Sequence, residues 1–176
     1  MNPIPKSDFA LRCARAACVL GLWMGATGAA WSQAVAPDNK AALAGVKEMK
    51  MAFDITDGNP DVLLLKLNVI DLTRKQLIAE GVTPRIVLAF RGDASYFTQT
   101  DIEKIKPAER EGAAKVAAKI KELRSGNGYE AMEQCSVPLP ARKIRNDDVM
   151  QEVKLVGNGW ISLVAYQQRG YAYIAP

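Results

Sequence analysis

The chain has 176 residues, 49% of them apolar, three cysteines, no histidine and a formal net charge of +4. That length suits one globular body with one good core. Without imidazole there is no serine or cysteine hydrolysis on a histidine base, and with so few cysteines there is no zinc or copper site of the usual nitrogen–sulfur type.

Residues 1–34 read as a secretory signal. Lys6, Arg12 and Arg15 precede an uncharged run over 16–37 whose apolar centre is AACVLGLWMGA. Ser32-Gln33-Ala34 puts small residues at the −3 and −1 places of a cut, with Val35 opening the mature chain. An uncleaved anchor is the rival reading, but Gly, Thr, Ser and Gln thin the apolar centre to about a dozen residues. Cleavage would discard Cys13 and Cys18, leaving Cys135 as the sole cysteine of a periplasmic or secreted protein with no stable membrane insertion. Losing Lys6, Arg12, Arg15 and Asp8 would lower the net charge to +2.

Residues 35–46 show no sustained period and read as a flexible leader; 47–176 read as the folded domain. There the pattern alternates. Strands are expected at Met49–Ile55, Arg85–Phe90, Tyr129–Val137, Glu152–Val156 and Tyr171–Ile174, and helices at Pro60–Glu80, Asp101–Arg124, Arg142–Met150 and Trp160–Arg169. Strand and helix in strict turn imply an α/β fold with parallel pairing and helical crossovers on both faces of the sheet. RIVLAF lacks polar alternation, as a strand covered on both faces does.

The punctuation agrees with those boundaries. Asn59 is placed to cap the first helix, with Pro60 at the first helical position, where its missing donor costs nothing. Gly81, Gly126 with Gly128, and Gly170 stop the helices. The first helix is apolar on two stripes: Leu63, Leu67, Ile70 and Leu77 on one, and Leu64, Leu65, Val69 and Leu72 largely elsewhere. A second subunit would explain the excess, and so would a deep internal position.

Several motifs have plain explanations. DITDGNPD, residues 54–61, lacks the glycine and glutamate spacing of a calcium loop and reads as turn and cap. Lys and Arg are interspersed with Asp and Glu, so no nucleic-acid surface is expected. The one basic knot, Arg142-Lys143-Ile144-Arg145, reads as a solvated helix face. Gly157-Asn158-Gly159 stands between a strand and a helix, the context of an anion cradle, but lacks the remaining residues of a phosphate loop; a tight turn with an N-cap is the simpler reading.

Cys135 is the chemical candidate. A free cysteine is often a small core hydrophobe. This one stands at the carboxyl end of an expected parallel strand, where open α/β sheets build their sites, and Pro138 and Pro140 keep the following loop extended. Arg91, Lys143 or a helix amino end could favour a thiolate there.

LLLKLNVI in the first helix, FRGDA after the second strand, EQCSV at the third strand's end and the closing VGNGWISLVAYQQRGYAYI resemble the DsrE/DsrF-like proteins from about residue 47 onward. The resemblance implies a three-layer α/β/α sandwich, flavodoxin-resembling, on a mainly parallel five-stranded sheet, assembled as a homo-oligomer. It also implies a place in sulfur relay, with Cys135 carrying sulfur as a persulfide between a donor and another molecule's thiol. Arg91 and Asn158 are the expected neighbours that would stabilise a thiolate or bound oxyanion, with Tyr166 and Gln167 as further candidates. No metal or cofactor is expected. A non-catalytic oligomeric scaffold or small-ligand-binding protein with a structural cysteine is the alternative.

Overall fold

The computed structural model describes residues 37–176. The signal read over 1–34, with Cys13 and Cys18, lies outside the described residues. In the segment read as a leader, Lys40–Leu43 forms one helical turn (α1), and Leu43 and Val46 lean on the core.

Five strands make one sheet: β1 Glu48–Ile55, β2 Thr83–Phe90, β3 Tyr129–Cys135, β4 Lys154–Val156 and β5 Ala172–Ile174. All neighbours pair in parallel, in the order β4-β3-β2-β1-β5. Helices α2 Pro60–Ala79, α3 Arg110–Ser125 and α4 Gly159–Gln168 complete the expected three-layer α/β/α fold.

The sheet's two faces are covered unequally. Met51, Phe53 and Ile55 of β1 and Ile86, Leu88 and Phe90 of β2 point toward Leu63, Leu67 and Ile70 of α2 and Val116, Ile120 and Leu123 of α3. On the other face Ala52, Val87 and Ala89 meet Leu163 of α4 and Tyr171. This is the period-two alternation of strands buried on both sides. Because β1 to β4 advance stepwise while α4 returns the chain to the far side of β1, α4 is the one helix on its face among the described residues.

Helix starts follow the local chemistry. Asn59 Oδ1 accepts the N–H groups of Asp61 at 2.9 Å and Val62 at 3.1 Å, with Pro60 at the first position. Of the two apolar stripes of α2, Leu63, Leu67, Ile70 and Leu77 are buried, whereas Leu65, Val69 and Leu72 face outward, more than half exposed. Among the described residues no helix is long and apolar enough to cross a membrane.

Two expected helices are corrected. The Asp101–Arg124 helix begins only at Arg110; Ile102–Lys104 and Pro107–Glu109 are separate 3₁₀ turns. Pro107 lacks an N–H and forces Lys106 into an extended conformation, which stops the helix from growing backward. The Arg142–Met150 helix does not form; the segment holds 3₁₀ turns at Pro140–Arg142 and Asn146–Asp148. Lys143 sits between them at φ +56°, a left-handed turn no helix can pass through. The basic knot is therefore no helix face: Ile144 is buried, and Arg142 bonds to Asp93 and lies over the Tyr96 ring.

Candidate functional site

The connections leaving β1, β2 and β3 pack on the α2–α3 side, as the core positions of Met150 and Val153 show for the last of them. The connection leaving β4 goes to the opposite face through α4. A crevice opens where two neighbouring parallel strands send their chains to opposite faces, the usual ligand position in open α/β sheets. Here it lies at the carboxyl ends of β3 and β4, and Cys135 is the last residue of β3.

Cys135 alternates with Ala131 and Glu133 toward α4. Its sulfur accepts the backbone N–H of Gly159, the first residue of α4, at 3.1 Å. A β-carbon on Gly159 would stand 2.9 Å from Arg91 Cδ and 3.1 Å from Cys135 Cβ, so only glycine lets the helix start this close. Asn158 is the N-cap, its side chain accepting the Trp160 N–H at 3.0 Å. The Gly157-Asn158-Gly159 stretch is thus a tight turn and cap that brings an amide to the sulfur.

Arg91 follows β2 directly and stands beside Cys135 in register, since Phe90 pairs with Gln134. Its Nε and Nη2 donate to the two carboxylate oxygens of Asp54 at 2.6 and 2.5 Å. The Tyr173 hydroxyl donates to Asp54 Oδ2 at 2.7 Å, and the Arg91 guanidinium lies 5.3 Å from the Trp160 ring centre. The hydrogen bonds that Arg91 donates to Asp54 raise its pKa above the ordinary value, and the same carboxylate, accepting from Tyr173, raises that of the phenol.

Cys135, Arg91 and Asn158 line one pocket of about 220 Å³ together with Gly92, Val137, Pro138 and Trp160. The Cys135 residue itself is only 4% exposed. A larger hollow of about 360 Å³ lies across the sheet beside the alanines of α3 and contains no thiol. Among the described residues no cluster of metal-ligating side chains forms.

Of the residues singled out by sequence, Arg91, Asn158 and Cys135 come together. Tyr166 and Gln167 lie away from the pocket. The Tyr166 hydroxyl donates to Glu133 Oε1 at 2.9 Å, and burial, reinforced by that carboxylate, pushes its pKa up to about 12. Gln167 is exposed on the last turn of α4. Asp54, read as part of a turn, is instead the buried partner of Arg91; a carboxylate at the carboxyl end of a parallel strand was the available signal. Tyr173 and the glycine requirement at 159 had none, because both depend on which strands become neighbours.

The family model for DsrE/DsrF-like proteins matches residues 49–176. The chain belongs to the DsrE/DsrF-like family. An uncharacterized protein of Aquifex aeolicus (strain VF5) is 27% identical over 126 residues, 72% of this chain and 55% of that protein. The chain therefore spans about half the length of that curated relative. The solved structure of the protein of unknown function MTH1491 from Methanobacterium thermoautotrophicum matches with a TM-score of 0.50 at 25% identity, covering 74% of this chain and 99% of that one. The family model gives the chain its family, and the solved structure agrees with its fold.

Proposed function

We propose that this DsrE/DsrF-like protein carries sulfane sulfur on Cys135. One observation carries the reading: an α-helix amino end directs an N–H at the sulfur, inside a pocket that the sulfur shares with an arginine. Amides at helix amino ends and nearby cations favour negative charge on a cysteine sulfur. A thiolate at Cys135 would attack the terminal sulfane sulfur of a small donor such as a polysulfide. The new S–S bond forms as the donor's S–S bond breaks, and the shortened polysulfide leaves with the electron pair. An acceptor thiolate then attacks the outer sulfur and takes it as a persulfide, returning Cys135 as thiolate. With no second cysteine among the described residues, the acceptor is another molecule.

Mass spectrometry of Cys135-containing peptides from the native protein after polysulfide treatment is the test. The expected result is a gain of about 32 Da that a thiol reductant removes. The small exposure of Cys135 favours a second reading, a packed thiol in a non-catalytic ligand-binding or scaffold protein. Modification only after denaturation would select that reading over the carrier.

The same proposal includes self-association through the outward stripe of α2, where Leu65, Val69 and Leu72 form an apolar row. It also includes export to the periplasm or outside the cell, supported by the signal pattern of residues 1–34. Amino-terminal sequencing of protein from the exported fraction tests the cut after Ala34.

A further inference from the structure

Arg91 has two tasks to reconcile, because its guanidinium is committed to Asp54 while the residue lines the same pocket as Cys135. We propose that Asp54 and Tyr173 are positioning residues that hold Arg91 beside Cys135, making Arg91 the fixed counter-cation of the sulfur anion. The extension to a persulfide anion rests on the carrier reading above; the thiolate part does not.

Four of the five strands converge on this arrangement. Asp54 is the penultimate residue of β1, Arg91 follows β2, Cys135 ends β3, and Tyr173 comes from β5. The β1–β5 register places Ala52 against Tyr173 and Phe53 against Ile174, so the Tyr173 hydroxyl reaches two residues along β1 to Asp54. An arginine side chain left alone has several rotatable bonds and samples many positions. This one is tied at two nitrogens to a carboxylate that is only 6% exposed and rests against the Trp160 ring. Gly159 closes the arrangement, since the space a side chain would need there is taken by Arg91 Cγ and Cδ and by Cys135 Cβ. The guanidinium is thus held in one place, and Arg91 forms part of the wall of the Cys135 pocket.

Lys154 stands opposite Glu133 in the β3–β4 register, and other charged groups near α4 have partners of their own. Glu133 accepts from Tyr166, Glu130 accepts from Tyr171, and Arg169 lies over the Tyr166 ring. None of these lines the pocket.

Positioning and simple proximity predict opposite signs, which makes the proposal testable. Removing the Asp54 charge while Arg91 stayed in place would favour the thiolate and move its titration to lower pH. Losing the tether should let Arg91 leave and move the titration to higher pH. The experiment measures the pH dependence of iodoacetamide alkylation at Cys135 in the full chain, by peptide mass spectrometry, for wild type, Asp54→Asn and Tyr173→Phe. Asp54→Asn is expected to shift the midpoint upward and slow alkylation at pH 7 roughly tenfold, the size of one unit of ionisation. Tyr173→Phe, which keeps the charge and loses one hydrogen bond, should move the same way by about threefold. A midpoint that falls or stays unchanged in either folded variant overturns the proposal. If circular dichroism shows Asp54→Asn unfolded, Tyr173→Phe decides alone. Normal alkylation behaviour with no polysulfide adduct would instead count against the carrier reading only.

Discussion

The α2–α3 side of the sheet and the α4 side are built from different materials. Under α2 and α3 the strands contribute Met51, Phe53, Ile55, Ile86, Leu88 and Phe90; under α4 they contribute mainly Ala52, Val87 and Ala89. Large aliphatic and aromatic side chains exclude water and supply most of the burial free energy. Small ones let a single helix approach closely enough to point its first amide at a sulfur. Both charged residues that the strands bury, Asp54 and Glu133, lie on that thin side. Bulk burial and the candidate site are therefore divided between the faces of one sheet.

That division can be broken most severely from the thick side. Leu67→Ala, at a position with no exposure, is expected to cost about 4 kcal/mol, and Leu163→Ala on α4 about 2 kcal/mol. Urea denaturation of both variants measures the difference, and equal losses would remove the contrast. The next largest effect concerns the ion cluster joining α2 to α3. Burial alone would raise the Asp71 pKa, but hydrogen bonds from Lys75, Arg74 and Lys119 outweigh it and hold the carboxyl at about 2. The folded value lies below the unfolded one, so this contribution is complete at neutral pH and is lost as the pH falls from about 4 toward 2. Asp71→Asn should lose about 2 kcal/mol at pH 7 and flatten the acid limb of the stability curve.

On the thin side the expected stability effects are smaller and the chemical ones larger. Gly159→Ala forces a methyl against Arg91 and Cys135, with an expected cost of about 1 to 3 kcal/mol. It should also slow alkylation of Cys135, a readout that Leu67→Ala leaves unchanged in the folded protein. The smallest effect on subunit stability, within about 0.5 kcal/mol, is expected for Leu65→Lys and Val69→Lys on the exposed stripe of α2. Sedimentation should nevertheless show these two variants dissociating; wild-type protein that sediments as a monomer would contradict self-association through this face.

The order of strands and helices was legible in the amino-acid sequence because periodicity and caps are local. Asn59-Pro60 marked a helix start, RIVLAF a doubly covered strand, and the alternation of elements the α/β class. Cys135, Arg91 and Asn158 were legible as well, since each lies at or just past a strand's carboxyl end. The failed helix at 142–150 depended on a left-handed Lys143 and on Asp148 being drawn to Lys104 and Arg145, one of them distant in the chain. The pairing of Asp54 with Arg91 and Tyr173 belongs to tertiary structure for the same reason. It exists only once β5 has crossed to the far edge of β1, and side-chain contacts between strands far apart in sequence leave no local pattern to read.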